Sequence, residues 1–375
     1  MKFICFSIFF FNFPFFNASI DTPQYWGFRI WDLGFRNKPS NSEISMLKSD
    51  LGARDTIPKS EIPNPKSPPP QYLTEKLVQN ITNDSLKVAA IYDWITSNIQ
   101  YDHTFRRRIE GDTTLTQEPD FVVANKKAVC IGYAKLVKEM CRIAGIQAVI
   151  IEGFVKNDRG NIENEEHAWN AVKINYNWYL LDATWGADNG YFSKKYFLTD
   201  PSVFQENHLP HDPLWQLVMQ PLDFDCFINN RNCFNENKTS FNFKDSIAVW
   251  ENLDSMSRAF NEALRILNYN EKDVRAMRQL AEYYSNSALK FFKKYADIRQ
   301  AVKEKKGAIP QRDALLMLLD AASTHLEKAK EQYRRILPFA KRNRYTDAHM
   351  NIEVMDENLA NIESEKAYVV KYFKN

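Results

Sequence analysis

Along the first two-thirds of the chain the apolar positions switch between helical and alternating spacing, and from about Asp245 onward they keep helical spacing throughout. A helix signal covers Thr74 to Asn80. A second starts at Asp84, where Val88, Ile91, Tyr92, Ile95 and Ile99 form one stripe. After Cys130, the apolar residues Ala134, Val137, Met140, Cys141 and Ala144 fall at helical spacing, which predicts a buried amphipathic helix with the cysteine in its first turn. Gln147 to Val155 reads as a buried strand. Glu166 to Ile174 alternates like a strand, Trp178 to Trp185 follows it, and Asn175-Tyr176-Asn177 supplies the turn. Residues 102–125 read as irregular and polar. Beyond them the pattern predicts helices over 245–267, 271–304, 310–337 and 346–373, with Leu315, Leu318, Leu319, Ala322, Leu326, Ala329, Tyr333 and Ile336 as the clearest stripe. Gly307, Pro310 and Pro338 mark junctions. The expected architecture is α+β, a helix-borne cysteine packed on an antiparallel sheet, followed by an all-α antiparallel helical domain. A helical repeat array is the rival for the second part, against which stands the lack of a sharp internal period.

Three polar residues inside these apolar words carry candidate chemistry. At the start of its helix Cys130 meets the positive end of the macrodipole, which favours a thiolate. Gly132 keeps the approach to the backbone open, and the N–H groups of the first turn are placed to hold an oxyanion. A cysteine at such a place is more often a small buried hydrophobe, so the case depends on partners. If the hairpin loop is Asn175-Tyr176, His167 pairs with Thr184 and lies diagonal to Asp182 on the same face; a one-residue slip would separate them. The order cysteine, histidine, aspartate then supplies a nucleophile, a base and a group that orients the base.

The words VCIGYA (129–134), HAWNAV (167–172) and WYLLDATW (178–185) resemble the transglutaminase-like superfamily, particularly its secreted bacterial members, over roughly residues 85–220. The resemblance implies a papain-like, transglutaminase-like fold in which Cys130 is the nucleophile, His167 the general base and Asp182 the residue that orients the imidazole. It also makes Tyr101 a candidate for stabilising the oxyanion, since no glutamine precedes Cys130 at the papain-like place, and puts Trp169 with Gly132 among the cleft candidates. The function implied is that of a thiol enzyme on protein or peptide amides, by acyl transfer or hydrolysis through a thioester. A non-catalytic exported binding protein that uses its helical domain is the alternative.

Composition narrows the partners. With a formal net charge of +2 and no long basic run in 375 residues, nucleic acid is not expected as a partner. Met1-Lys2 followed by the apolar run Phe3 to Phe16 reads as a signal peptide over 1–19, so the protein is expected to be secreted or periplasmic; an uncleaved anchor is the rival, shortened by Pro14 and two asparagines. No later stretch is expected to span a membrane. Residues 20–70 form an N-terminal extension and proline-rich linker, 71–240 the catalytic domain and 241–375 the helical bundle, a face of which is open to a protein partner. Cys226 and Cys233 suit a small disulfide ring in an oxidising compartment, with two unrelated thiols as the other reading. No cofactor is expected, and His208 and His211 offer too few ligands for a metal.

Overall fold

The computed structural model describes residues 68–105, 116–163, 165–187, 194–229, 240–304, 310–339 and 347–373. The stretch 1–19 expected to be a signal peptide, and nearly all of the expected extension and linker, lie outside these residues. Pro70 takes the first position of α1 (Pro70–Val78), so the proline run expected to stay extended ends by starting a helix, four residues ahead of the predicted Thr74. Helix α2 (Asp84–Asn98) is capped by the Asn83 side chain, which accepts the Leu86 N–H, and it buries Val88, Ile91, Tyr92 and Ile95. Strand β1 (Gln100–Tyr101) follows. The stretch before the cysteine, expected to be irregular, contains α3 (Pro119–Asn125), with Pro119 opening it, Asp120 in its first turn and Val122 and Val123 buried. Lys126 closes it in the left-handed conformation at φ 54°. Its apolar residues Phe121 to Ala124 are consecutive and the helix is only seven residues long, so no helical period shows, which is why it escapes a pattern search.

Strand β2 (Lys127–Ala128) pairs with β1 in parallel and leads into α4 (Cys130–Ile143). Then come β3 (Ala148–Val155), β4 (His167–Ile174), β5 (Asn177–Leu181), α5 (Ala183–Gly186), α6 (Pro201–Phe204), β6 (His208–Pro210) and α7 (Phe224–Ile228). The four longer-range strands form one antiparallel sheet in the order β5-β4-β3-β6. Asn175 and Tyr176 make a two-residue turn with φ of 48° and 67°, and Ile174 pairs with Asn177 across it. This is the register that sets His167 near Asp182.

Strand β4 is buried at every position except Lys173, so its alternation separates two covered faces and not a covered face from a wet one. Val172, Ile174 and Leu181 join the cluster of α2 and α4 that holds Tyr92, Tyr133 and Met140. Trp169, Ala171, Trp178 and Leu180 join a second cluster with Phe204, Trp215, Ile247 and Trp250.

The helix expected over 245–267 is two, α8 (Phe243–Glu251) and α9 (Ser255–Tyr269), because the Asp254 carboxylate accepts the N–H groups of Met256 and Ser257 and starts a new helix. Ile247 and Trp250 of α8 belong to the sheet's second cluster. Helices α10 (Val274–Lys303), α11 (Arg312–Ile336) and α12 (Ala348–Tyr372) pack in succession around Leu315, Leu319, Ala322, Leu326, Ala329, Tyr333 and Ile336, with Leu318 at the margin. Paired charges join these helices to the sheet: Arg265 grips Asp212 through two bonds of 2.9 and 2.7 Å, and Arg275 reaches Glu166 at 2.7 Å. Cys226 is disulfide-bonded, and Cys233 lies outside the described residues. Among the described residues no helix is long and apolar enough to cross a membrane.

Candidate active site

Helix α4 starts from Val129, whose extended backbone turns abruptly, and the carbonyl of Val129 accepts the N–H groups of Gly132 at 2.8 Å and Tyr133 at 3.2 Å. The Val129 N–H itself donates to Gln117 Oε1 at 2.9 Å. Those three donors are therefore occupied, and Cys130 and Ile131 carry the first-turn N–H groups outside these bonds. Gly132 has a different task from the open approach expected of it. It is buried, and a Cβ there would come within 2.2 Å of Gln117 Oε1 and 2.8 Å of the Ala128 Cβ. The glycine makes room for a glutamine that braces the turn. Gln117 went unread because it lies in the loop before α3, away from any local motif.

The body of α4 is anchored by side chains from elsewhere. Tyr133 donates its hydroxyl proton to the Ile99 carbonyl at 2.7 Å. Asn170, fully buried in β4, donates to the carbonyls of Ala134 at 3.0 Å and Val149 at 3.1 Å, tying the cysteine helix to two strands. Cys130 is half-buried, whereas Cys141 on the same helix is fully buried and its thiol is pushed up to about 12 by burial.

His167 opens β4 and Asp182 follows β5, and His167 Nε2 lies 2.7 Å from Asp182 Oδ2. That bond occupies Nε2, and Cys130 acts on the same imidazole. Burial alone would lower the histidine, but the Asp182 carboxylate and the hydrogen bond and charge of Cys130 outweigh it and raise His167 to about 10. Asp182 is buried completely, a heavy cost for a carboxylate that its hydrogen bonds must offset. Its Oδ1 accepts the N–H groups of Thr184 at 2.8 Å and Trp185 at 3.2 Å, so the same residue caps α5. The charge and hydrogen bond of His167, followed by those of His208, overcome the desolvation and hold Asp182 well below the usual carboxylate range. Its backbone is fixed as well: the Tyr92 hydroxyl donates to the Asp182 carbonyl at 3.1 Å. Gly186 is required there, since a Cβ would come within 1.9 Å of that hydroxyl.

A second imidazole joins the group. His208 lies on β6, paired with the β3 edge opposite β4, and its Nε2 is 3.2 Å from the same Asp182 Oδ2. Sequence reasoning weighed His208 only beside His211, as metal ligands, because the edge pairing that carries it to Asp182 is non-local. The other two nominated residues take separate places. Tyr101 is exposed and its strand pairs with Ala128, two residues before Cys130. Trp169 is buried and stacks against His167 at 6.0 Å and 26°, so it backs the imidazole and does not line an open cleft. Among the described residues His167, Asp182 and His208 bring ligand-type atoms within 4.8 Å of one another, and those atoms already bond each other.

Comparison with known proteins finds sequence likeness over the same stretch. Residues 71–183 match the transglutaminase-like superfamily. Human kyphoscoliosis peptidase is 33% identical over 214 residues, 53% of this chain and 31% of the human protein. Hillarin of Drosophila melanogaster is 28% identical over 183 residues, 42% of this chain and 22% of that protein. The chain thus spans less than a third of either relative. A solved structure of a transglutaminase (TGase) aligns with 43% of this chain and 42% of its own at 19% identity and a TM-score of 0.27. The likeness to the transglutaminase-like superfamily lies in residues 71–183, the stretch that contains Cys130, His167 and Asp182.

Proposed function

We propose that the chain is an exported thiol enzyme that acts on protein or peptide amides through Cys130, His167 and Asp182. The observation that carries this reading is the 2.7 Å bond between His167 and a buried Asp182, with Cys130 acting on the same imidazole. In the first half-reaction the Cys130 sulfur bonds to the amide carbon, and the Cys130 and Ile131 N–H groups serve as donors to the oxyanion. The C–N bond then breaks, His167 gives its proton to the departing amine, and a thioester remains. Water or a second amine adds to the thioester, loses its proton to His167, and expels the sulfur. Asp182 keeps His167 in the orientation that faces the sulfur and balances the imidazolium charge.

The acceptor sets the name of the enzyme. The word peptidase in the human relative's name favours water, and the superfamily match also suits an amine. Incubation with a glutamine-rich protein and a fluorescent primary amine, followed by mass spectrometry, separates the two. Under this proposal the wild type gives either amine incorporation or new chain termini, and Cys130→Ala gives neither. Equal product from wild type and Cys130→Ala would refute it. Binding of the protein without turnover in both would favour the scaffold role.

A further inference from the structure

We propose that His208 is a positioning residue for the triad: an imidazole that bonds the same Asp182 carboxylate oxygen as His167 and fixes its orientation. The inference rests on the proposed function above. Asp182 Oδ2 stands between two imidazole nitrogens, His167 Nε2 at 2.7 Å and His208 Nε2 at 3.2 Å, while two backbone N–H groups hold Oδ1. With four donors in place the carboxylate cannot rotate without breaking several bonds.

The sheet is built to bring the two rings together. Gly153 of β3 pairs with His167 on one side and Pro210 on the other, and Val155 pairs with His208. A Cβ on Gly153 would fall 2.1 Å from the Leu209 carbonyl oxygen and 2.7 Å from the Trp169 ring, so the close approach of β6 depends on that glycine.

The surroundings of His208 keep it neutral. It is fully buried among aromatic rings, Phe204 at 4.2 Å, Trp185 at 4.5 Å and Trp169 at 5.0 Å between centroids. Burial lowers it to about 4, against the pull of Asp182 and with the help of the charges on His167 and Lys195. In the neutral ring Nε2 carries the proton, because its partner is an ionised carboxylate. Nδ1 lies 2.6 Å from Asn207 Oδ1; an unprotonated Nδ1 accepts there only when the Asn207 amide is turned about so that its NH2 faces the ring, and that orientation is part of the proposal. Neutrality matters because a charged His208 would compete with the His167 imidazolium for the same carboxylate. As a neutral donor it steadies Asp182 and leaves the whole counter-charge to His167.

The test compares two variants of the full chain. His208→Phe keeps a flat ring without the donor, and His208→Gln restores an N–H near the Nε2 position. Cys130 labelling by limiting iodoacetamide at pH 6 is followed by peptide mass spectrometry, with thermal unfolding as the check on folding and His167→Ala as the control for the triad. The proposal expects labelling in His208→Phe to slow about ten-fold while unfolding stays cooperative, and His208→Gln to recover most of the rate. Wild-type labelling in His208→Phe, or a glutamine variant as slow as the phenylalanine one, would overturn it. If His208→Phe does not fold, the ring titration of His208 by NMR in the wild type decides: a ring neutral at pH 6 supports the proposal, and one protonated there refutes it. Equal labelling of wild type and His167→Ala would instead remove the triad itself.

Discussion

The Asp182 carboxylate is the residue on which the site converges, since it caps α5, orients His167 and receives His208. The two imidazoles titrate in opposite senses. A histidine in the unfolded chain takes up its proton near 6.5, whereas folded His208 does so only near 4, so stability falls as the pH drops across that window. His167, raised to about 10, contributes stability that is complete below 6.5 and is lost as the pH rises through 10. Thermal unfolding between pH 4 and 10.5 is expected to show a fall on each side of neutrality. The acid-side fall should shrink in His208→Phe and the alkaline-side fall in His167→Ala; unchanged slopes would contradict these assignments. Gly132 makes a second expectation at this scale. Its missing Cβ is the space of Gln117, so Gly132→Ala must push out either the glutamine or the turn. A cost of about 1–3 kcal/mol in denaturant unfolding and slower Cys130 labelling should result, and a neutral substitution would show that the turn does not need Gln117.

Among the elements, the β4–β5 hairpin was the most legible. Alternation on either side of Asn175-Tyr176 specifies the register, and the register brings His167 to Asp182. The helix that begins at Cys130 was also readable from its apolar spacing. What escaped were short or non-local pieces: α3 is too brief for a period, β6 is three residues long, and Gln117, Asn170 and His208 act through contacts that no local word encodes. Asn170 did leave a trace, as an uncharged polar side chain set among apolar neighbours in its strand. Its amide serves the carbonyls of Ala134 and Val149, so Asn170→Ala leaves both without that donor inside the core. A loss of about 1–3 kcal/mol is expected from chemical unfolding, and a loss no larger than that of an exposed substitution would show that the bond does not hold α4 to the sheet.

At the level of the whole molecule, the helical segments are fastened to the sheet beside the site. Glu166, next to His167, is held by Arg275 of α10, and Trp250 of α8 lies in the cluster behind Trp169. The sequence showed the change of composition near residue 240 but not this fastening, because ion pairs between Glu166 and Arg275 or Asp212 and Arg265 join residues far apart in the chain. The match of residues 71–183 to the transglutaminase-like superfamily covers the cysteine, the histidine and the aspartate together. The central claim is that Cys130 and His167 work as one chemical unit. Its most direct measurement is the rate of Cys130 alkylation at pH 6 in wild type and His167→Ala, with fully buried Cys141 as the internal standard in the same digest. A wild-type Cys130 that labels at least about ten-fold faster than in the variant, while Cys141 stays unlabelled in both, is the predicted result. Equal and slow labelling of Cys130 in the two proteins would contradict it.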